Sequence, residues 1–181
     1  MKAVTVQKEM AGNREAPRRA LYFAAAVGIA VLSYALLMRD IRLSLWPHAQ
    51  FFKFAYGMPF EFVPGVGYVS TQAGFSITEG CMGVRLFVSA FLLATLGFSP
   101  RGGMGVKAAF LAKAFALSLA GAFVISLLRI SISLPFLHHK DAQLIHNIIS
   151  LAVYFGCMAA LFFLLQKRRD TAQREDDTQN E

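Results

Sequence analysis

Cys81, Arg129 and His146 have side chains that together could carry out acyl transfer. A cysteine acts as a nucleophile in its thiolate form, which a nearby imidazole or guanidinium favours. An imidazole can take up the thiol proton and later return a proton to a leaving amine. A guanidinium stays protonated and can stabilise a developing oxyanion. The three residues therefore supply a nucleophile, an acid/base and an electrostatic clamp, which acyl transfer requires.

The composition predicts that these residues lie in a membrane protein. Of the 181 residues, 56% are hydrophobic and only 16% are charged, whereas a soluble domain has about 25% charged residues. Four apolar runs approach or reach the roughly 17–25 residues of a bilayer span; they cover 20–38, 82–98, 108–128 and 144–165. Because spans in lipid must satisfy their own backbone groups, we predict an all-α integral membrane protein with about four transmembrane helices.

The distribution of Lys and Arg predicts the orientation of these helices. Eleven of them lie before the first span, between the second and third, or after the fourth, and five lie on the opposite side. The positive-inside rule then predicts that both termini lie in the cytoplasm. We expect a multi-pass protein of the plasma (cytoplasmic) membrane. The basic residues serve as anchors at the surface of the lipid bilayer, so no nucleic-acid partner is expected. No small-x-small cleavage site follows Met38, and we interpret the first span as an uncleaved signal anchor.

We expect one membrane domain, residues 20–165, between a basic cytoplasmic leader, 1–19, and a disordered cytoplasmic tail, 166–181. Its external segments are 39–81 and 129–143.

The first external segment contains a hairpin pattern. Residues 60–63 alternate weakly between apolar and polar, and Pro64-Gly65 suits the central positions of a type II turn. Residues 66–70 could form the return strand. This predicts a small external cap, a β-hairpin, between the first and second spans. The alternative is an aromatic belt that only anchors the protein.

The predicted topology brings the three candidate residues to one membrane face. Cys81 lies at the outer end of the second span, and Arg129 lies at the outer end of the third. His146 is three residues into the fourth span, about 3 Å below its edge. Arg85 follows Cys81 by four residues, which in a continuous helix is the same face, so it is a candidate supporting residue. No Asp or Glu lies in any span, and we therefore expect no metal site and no cofactor.

The segments around these residues resemble motifs of the exosortase and archaeosortase family of membrane transpeptidases. Residues 80–85, GCMGVR, are similar to its cysteine motif, and residues 126–130, SLLRI, are similar to its Asn-x-x-Arg motif. His146 opens the last helix as the family's histidine does. The departures from the family pattern are Met82, Ser126 and Ser150. The single span before the cysteine is similar to a compact subtype such as exosortase K.

The resemblance implies a cysteine peptidase or transpeptidase that sorts exported proteins. Cys81 would be the nucleophile, Arg129 the oxyanion or substrate clamp and His146 the general acid/base. The substrate would be an exported protein with a C-terminal recognition motif, a membrane helix and a basic tail. Cleavage at the outer face would form a thioester, which an amine, a lipid or water would resolve.

Two other function classes compete with this one. The chain could be a non-catalytic four-helix scaffold or partner subunit, in which Cys81 is an inert apolar filler and Arg129 snorkels to the interface. A small transporter is disfavoured, because the chain lacks inverted repeats and acidic residues within its spans.

Overall fold

The computed structural model describes residues 2–100, 103–137 and 139–178. Its helices are α1 (Lys2–Arg39), α2 (Ile41–Tyr56), α3 (Val84–Gly97), α4 (Met104–Ser133) and α5 (Ala142–Thr178). Three short strands lie between α2 and α3: β1 (Glu61–Val63), β2 (Gly67–Ser70) and β3 (Phe75–Ile77). Short 3-10 turns, Glu79–Cys81 and Leu134–Phe136, precede α3 and follow α4.

Four helical segments of the described chain are long and apolar enough to cross a membrane. They are Arg19–Arg39, Glu79–Gly97, Met104–Phe136 and Ala142–Thr171. This confirms the predicted fold class, a multi-pass helical membrane protein with a small external sheet between the first two spans.

Helix α3 lies at the centre of the bundle and packs against α1, α4 and α5. The Tyr22 hydroxyl of α1 donates to the Thr95 carbonyl of α3 at 3.1 Å. The Tyr154 hydroxyl of α5 donates to the Ser89 hydroxyl of α3 at 2.8 Å. Three phenylalanine rings pack together between α3 and α4: Phe87, Phe91 and Phe115. These contacts fix α3, the helix that follows Cys81.

The predicted hairpin is confirmed and has a third strand. Strands β1 and β2 pair in antiparallel fashion with Glu61 opposite Val69, and β3 adds to the other edge of β2. Gly65 has φ +80°, and the Val66 amide donates to the Val63 carbonyl at 3.1 Å. Both features are those of a type II turn at Pro64-Gly65.

Helix α2 was not predicted. The Asp40 carboxylate caps its first turn by accepting from the Leu43 amide at 2.9 Å, and Gly57 ends it in the left-handed conformation. Its buried residues lie at positions i, i+3, i+4 and i+7, which make one helix face: Leu45, His48, Ala49 and Phe52. The aromatic belt suggested by this region is therefore an amphipathic helix packed on the bundle.

The C-terminal segment also differs from expectation. Residues 166–178, which we expected to be disordered, continue α5. This stretch lacks Gly and Pro, and eight of its thirteen residues are Ala, Arg, Gln, Glu or Lys, which propagate a helix well. Residues 179–181 lie outside the described chain.

Candidate functional site

Cys81 lies where the external cap meets the membrane helices. It ends the 3-10 turn Glu79–Cys81, and only 5% of its surface is exposed. It belongs to an apolar cluster to which α2, β2, β3, α3 and α4 contribute; other members are Leu45, Phe52, Tyr68, Ile77, Val84, Leu127 and Ile130. The cap therefore covers the cysteine and shields it from water.

Two side chains of α4 hold the backbone of the cysteine turn. The Ser126 hydroxyl donates to the Cys81 carbonyl. Arg129, three residues later and thus on the same helix face, donates from Nη2 to the Gly80 carbonyl at 2.8 Å. Gly83 lets the turn approach α4, because it has φ +69° and a Cβ there would lie 3.0 Å from the Ala122 carbonyl oxygen. The Cys81 turn is thus fixed to the helix that carries Arg129.

His146 is attached to the same end of α4 through a serine. The Ser133 hydroxyl donates to the Arg129 carbonyl at 2.9 Å and lies 3.1 Å from His146 Nδ1. Among the described residues, no hydrogen bond joins His146 directly to the Cys81 thiol. The structure therefore places Arg129 between the other two predicted residues, bonded by its side chain to the cysteine turn and by its backbone to the serine that meets His146.

Arg85 does not share a helix face with Cys81. The chain turns through the left-handed Gly83 before α3 begins at Val84, so the continuous helix assumed from the four-residue spacing is absent. The Arg85 side chain is exposed whereas Cys81 is buried. Arg85 nevertheless lies in the same cleft as Arg129.

This cleft, named the outer cleft because it lies at the end of the bundle that the charge distribution predicts to be external, has a volume of about 430 Å³ and lies between α1, the cysteine turn, α3, α4 and α5. Its polar lining residues are Tyr34, Glu79, Arg85, Arg129, Asn147, Ser150 and Tyr154. Gly80 lines it as well, so the peptide unit that precedes Cys81 faces the cleft. Two guanidinium groups beside a peptide-sized cleft suit a ligand with carbonyl or carboxylate oxygens.

His48 was not predicted as a site residue, and it is buried where α2 meets Phe123 of α4. Only 3% of its surface is exposed, and its ring packs edge-on against Phe123 of α4 at 4.7 Å between centroids. Burial, followed by the positive charge of Arg129, lowers the pKa of His48 to about 4. The backbone of Ser44 opposes this shift, although within the described chain no hydrogen bond of normal geometry reaches either ring nitrogen. His48 is therefore a neutral imidazole at pH 7.

Ser126 and Ser133 were also missed as site residues. Both lie on the Arg129 face of α4, at three residues before it and four residues after it. That spacing is visible in the sequence and could have indicated them. For His48, the signal was its position between Leu45 and Phe52 on one face of an amphipathic helix.

Within the described chain, no group of three or more His, Cys, Asp or Glu residues is placed to hold a metal ion. No protein-family model matches the sequence, and neither a curated protein nor a solved structure is significantly similar to it.

Proposed function

We propose that the protein is a membrane-embedded cysteine transpeptidase or protease that cleaves the C-terminal sorting signal of exported proteins. One observation carries the proposal. Arg129 donates to the carbonyl that precedes Cys81, and its own carbonyl accepts from the serine hydroxyl that contacts His146. Arg129 and Ser133 together thus join the cysteine turn to the histidine.

The proposed reaction uses the three residues in sequence. The Cys81 sulfur attacks the peptide carbonyl carbon while His146 accepts the thiol proton. Arg129, supported by Arg85, stabilises the oxyanion of the tetrahedral intermediate. The C–N bond then breaks, the departing amine takes its proton from His146, and a thioester remains on Cys81. An amine, a lipid hydroxyl or water attacks this thioester and releases the thiol.

The burial of Cys81 adds a requirement to this mechanism. Its thiol lies in the apolar cluster, whereas the preceding Gly80 lines the cleft. The substrate must therefore shift the turn so that the sulfur faces the cleft. Glycines at positions 80 and 83 flank the cysteine and allow such a change of backbone conformation. Displacing the Gly80 carbonyl from Arg129 would also free the guanidinium for the substrate.

The proposed substrate matches the predicted orientation in the plasma membrane. With both enzyme termini in the cytoplasm, the outer cleft faces the extracytoplasmic side. A substrate with a membrane helix and a basic C-terminal tail would take a fixed orientation by the same positive-inside rule. Its recognition motif would then lie at the level of Cys81.

The test compares the native host carrying the wild type, Cys81→Ala or Cys157→Ala by mass spectrometry of the C-termini of membrane and exported proteins. Cys157 is the matched control, because it lines a different cavity. The proposal expects truncated C-termini in the wild type and in Cys157→Ala but not in Cys81→Ala. Identical sets of C-termini in all three strains would contradict it.

The burial of Cys81 favours a second candidate function, a non-catalytic scaffold or partner subunit. In that case the cysteine only fills the apolar cluster below the cap. Cys81→Ala would then leave every C-terminus unchanged, and an uncharged membrane-permeant alkylating reagent would fail to label Cys81 in the folded protein.

A further inference from the structure

A second cavity lies deeper in the bundle, between α3, α4 and α5. Its volume is about 340 Å³, and it is lined mainly by apolar and small residues, among them Ala90, Ala94 and Gly121. The cavity opens at the surface of the bundle, since its lining residues Lys113, Leu117 and Arg168 are exposed. Leu86 lines both this cavity and the outer cleft, so the two follow one another along the bundle.

Two cations converge on this inner cavity. Lys113 of α4 and Arg168 of α5 both line it, and none of its described lining residues is acidic. Neither cation has an ion pair or hydrogen bond with the described protein. A basic side chain within a span is costly unless it reaches water or meets a negative partner. The cavity therefore offers a positive charge that no described side chain neutralises.

From these observations we infer that the inner cavity binds an anionic phospholipid. Its phosphate would lie between Lys113 and Arg168, and one acyl chain would follow the apolar wall towards Leu86. The positive-inside distribution assigns the basic end to the cytoplasmic leaflet, where basic pockets between membrane helices suit anionic headgroups. This inference does not depend on the proposed peptidase function.

The dimensions fit one lipid leaflet. The lining on α4 runs from Phe110 to Ile125, and its basic residue, Lys113, lies twelve residues before Ile125. At ~1.5 Å per residue this is about 18 Å. Half of the ~30 Å hydrocarbon core is about 15 Å. An acyl chain anchored at the basic end would thus run through one leaflet within the cavity.

The charge also selects against other occupants. The basic tail of a substrate helix would meet Lys113 and Arg168 at the same membrane face and be repelled. A second copy of this chain would bring its own basic residues 167–169 to that face. An anionic lipid is the occupant whose charge complements the site.

The test adds phosphatidylglycerol or phosphatidylcholine with identical acyl chains to the purified full-length chain in neutral detergent, and native mass spectrometry measures binding. We expect one phosphatidylglycerol per chain, bound at least about tenfold more tightly than phosphatidylcholine. Lys113→Gln/Arg168→Gln should weaken phosphatidylglycerol binding about 25-fold, at roughly fivefold per cation. The matched control, Lys167→Gln/Arg169→Gln, removes the same charge from residues outside the cavity and should change binding less than about threefold.

A second pair of variants tests the acyl-chain site independently of charge. Gly121 lines the cavity, and a Cβ there would meet no atom within 4 Å, so Gly121→Leu is expected to fill part of the cavity. It should weaken the binding of both lipids, whereas Gly156→Leu, at another open helical glycine outside the lining, should not. Equal binding of the two lipids to the wild type, or equal losses in the two charge variants, would overturn the inference. Dimers that form without lipid and are abolished by Gly121→Leu would assign the cavity to a second copy instead.

Discussion

The Ser133 hydroxyl lies 3.1 Å from Nδ1 of His146 and donates its only proton to the Arg129 carbonyl at 2.9 Å. Its oxygen must therefore accept the proton of Nδ1. The neutral ring is then protonated at Nδ1, and Nε2 keeps the lone pair that a general base needs. In the proposed reaction Ser133 is a positioning residue, because it sets the tautomer and orientation of His146. The Ser133 hydroxyl is itself held by its hydrogen bond to the Arg129 carbonyl of α4.

Ser133→Ala should slow substrate processing by about 10- to 100-fold, because His146 loses the hydrogen bond that fixes its tautomer while the general acid/base itself remains. The rate of C-terminal cleavage in reconstituted vesicles measures the effect, and the pH–rate profile should shift along the pH axis while it keeps its dependence on the histidine. Ser131→Ala, on the same helix but outside this hydrogen-bond chain, is the control. A Ser133→Ala protein with an unchanged rate and pH profile would show that Ser133 does not position His146.

The two arginines of the outer cleft should differ in importance. Arg129→Gln should reduce processing by about 10²–10³-fold, because both the oxyanion donor and the bond to the Gly80 carbonyl are lost. Arg129→Lys should restore little, since an ammonium lacks the planar fork of donors. Arg85→Gln removes the same charge from the same cleft and should cost less than about tenfold. Equal losses in Arg129→Gln and Arg85→Gln would show that net charge matters and that the position of Arg129 does not.

Much of the architecture follows from local sequence patterns. The apolar runs predicted the membrane helices because each span must be long, apolar and helical. The hairpin could be predicted from Pro64-Gly65, because a turn is determined by a few adjacent residues. Helix α2 was not predicted because its many aromatic residues are also typical of an interfacial aromatic belt. The helical period becomes visible only when Leu45, His48 and Phe52 are placed on one helix face.

The site was less predictable because its contacts join distant segments. The bond from Arg129 to the Gly80 carbonyl spans 49 residues, and that from Ser126 to the Cys81 carbonyl spans 45. The predicted membrane depth was enough to group Cys81, Arg129 and His146. It could not indicate that the cap covers the Cys81 thiol. The position of Arg85 was misjudged because one left-handed residue, Gly83, interrupts the helix.

Gly83→Ala should destabilise the fold for two separable reasons. A left-handed conformation costs an alanine about 1 kcal/mol, and its Cβ would lie 3.0 Å from the Ala122 carbonyl oxygen. Gly57 also has a positive φ, +66°, but has open space around it, so Gly57→Ala isolates the conformational cost. In detergent, Gly83→Ala should lose about 2–3 kcal/mol and Gly57→Ala about 1 kcal/mol. Equal losses would mean that the close approach of the cysteine turn to α4 contributes nothing to stability.

His48 should make the stability of the protein depend on pH. Its folded-state pKa of about 4 lies below the unfolded value of about 6.5. Between these values the unfolded chain binds the proton more readily. The contribution of His48 to stability is therefore fully present above pH 6.5 and is lost as the pH falls towards 4. From pH 7 to pH 5 the loss is on the order of 2 kcal/mol, or about 4–8 °C in Tm.

Substituting His48 by a residue that cannot titrate should remove this dependence. His48→Phe keeps an aromatic ring against Phe123, and its Tm should fall by about 4–8 °C less than that of the wild type between pH 7 and pH 5. His139→Phe is the control, because it makes the same change at a half-exposed histidine outside the membrane helices and leaves His48 in place. Thermal unfolding in detergent at the two pH values measures both variants. An equal fall in Tm between pH 7 and pH 5 in His48→Phe and the wild type would contradict this prediction. The acid sensitivity of the fold would then come from a group other than His48.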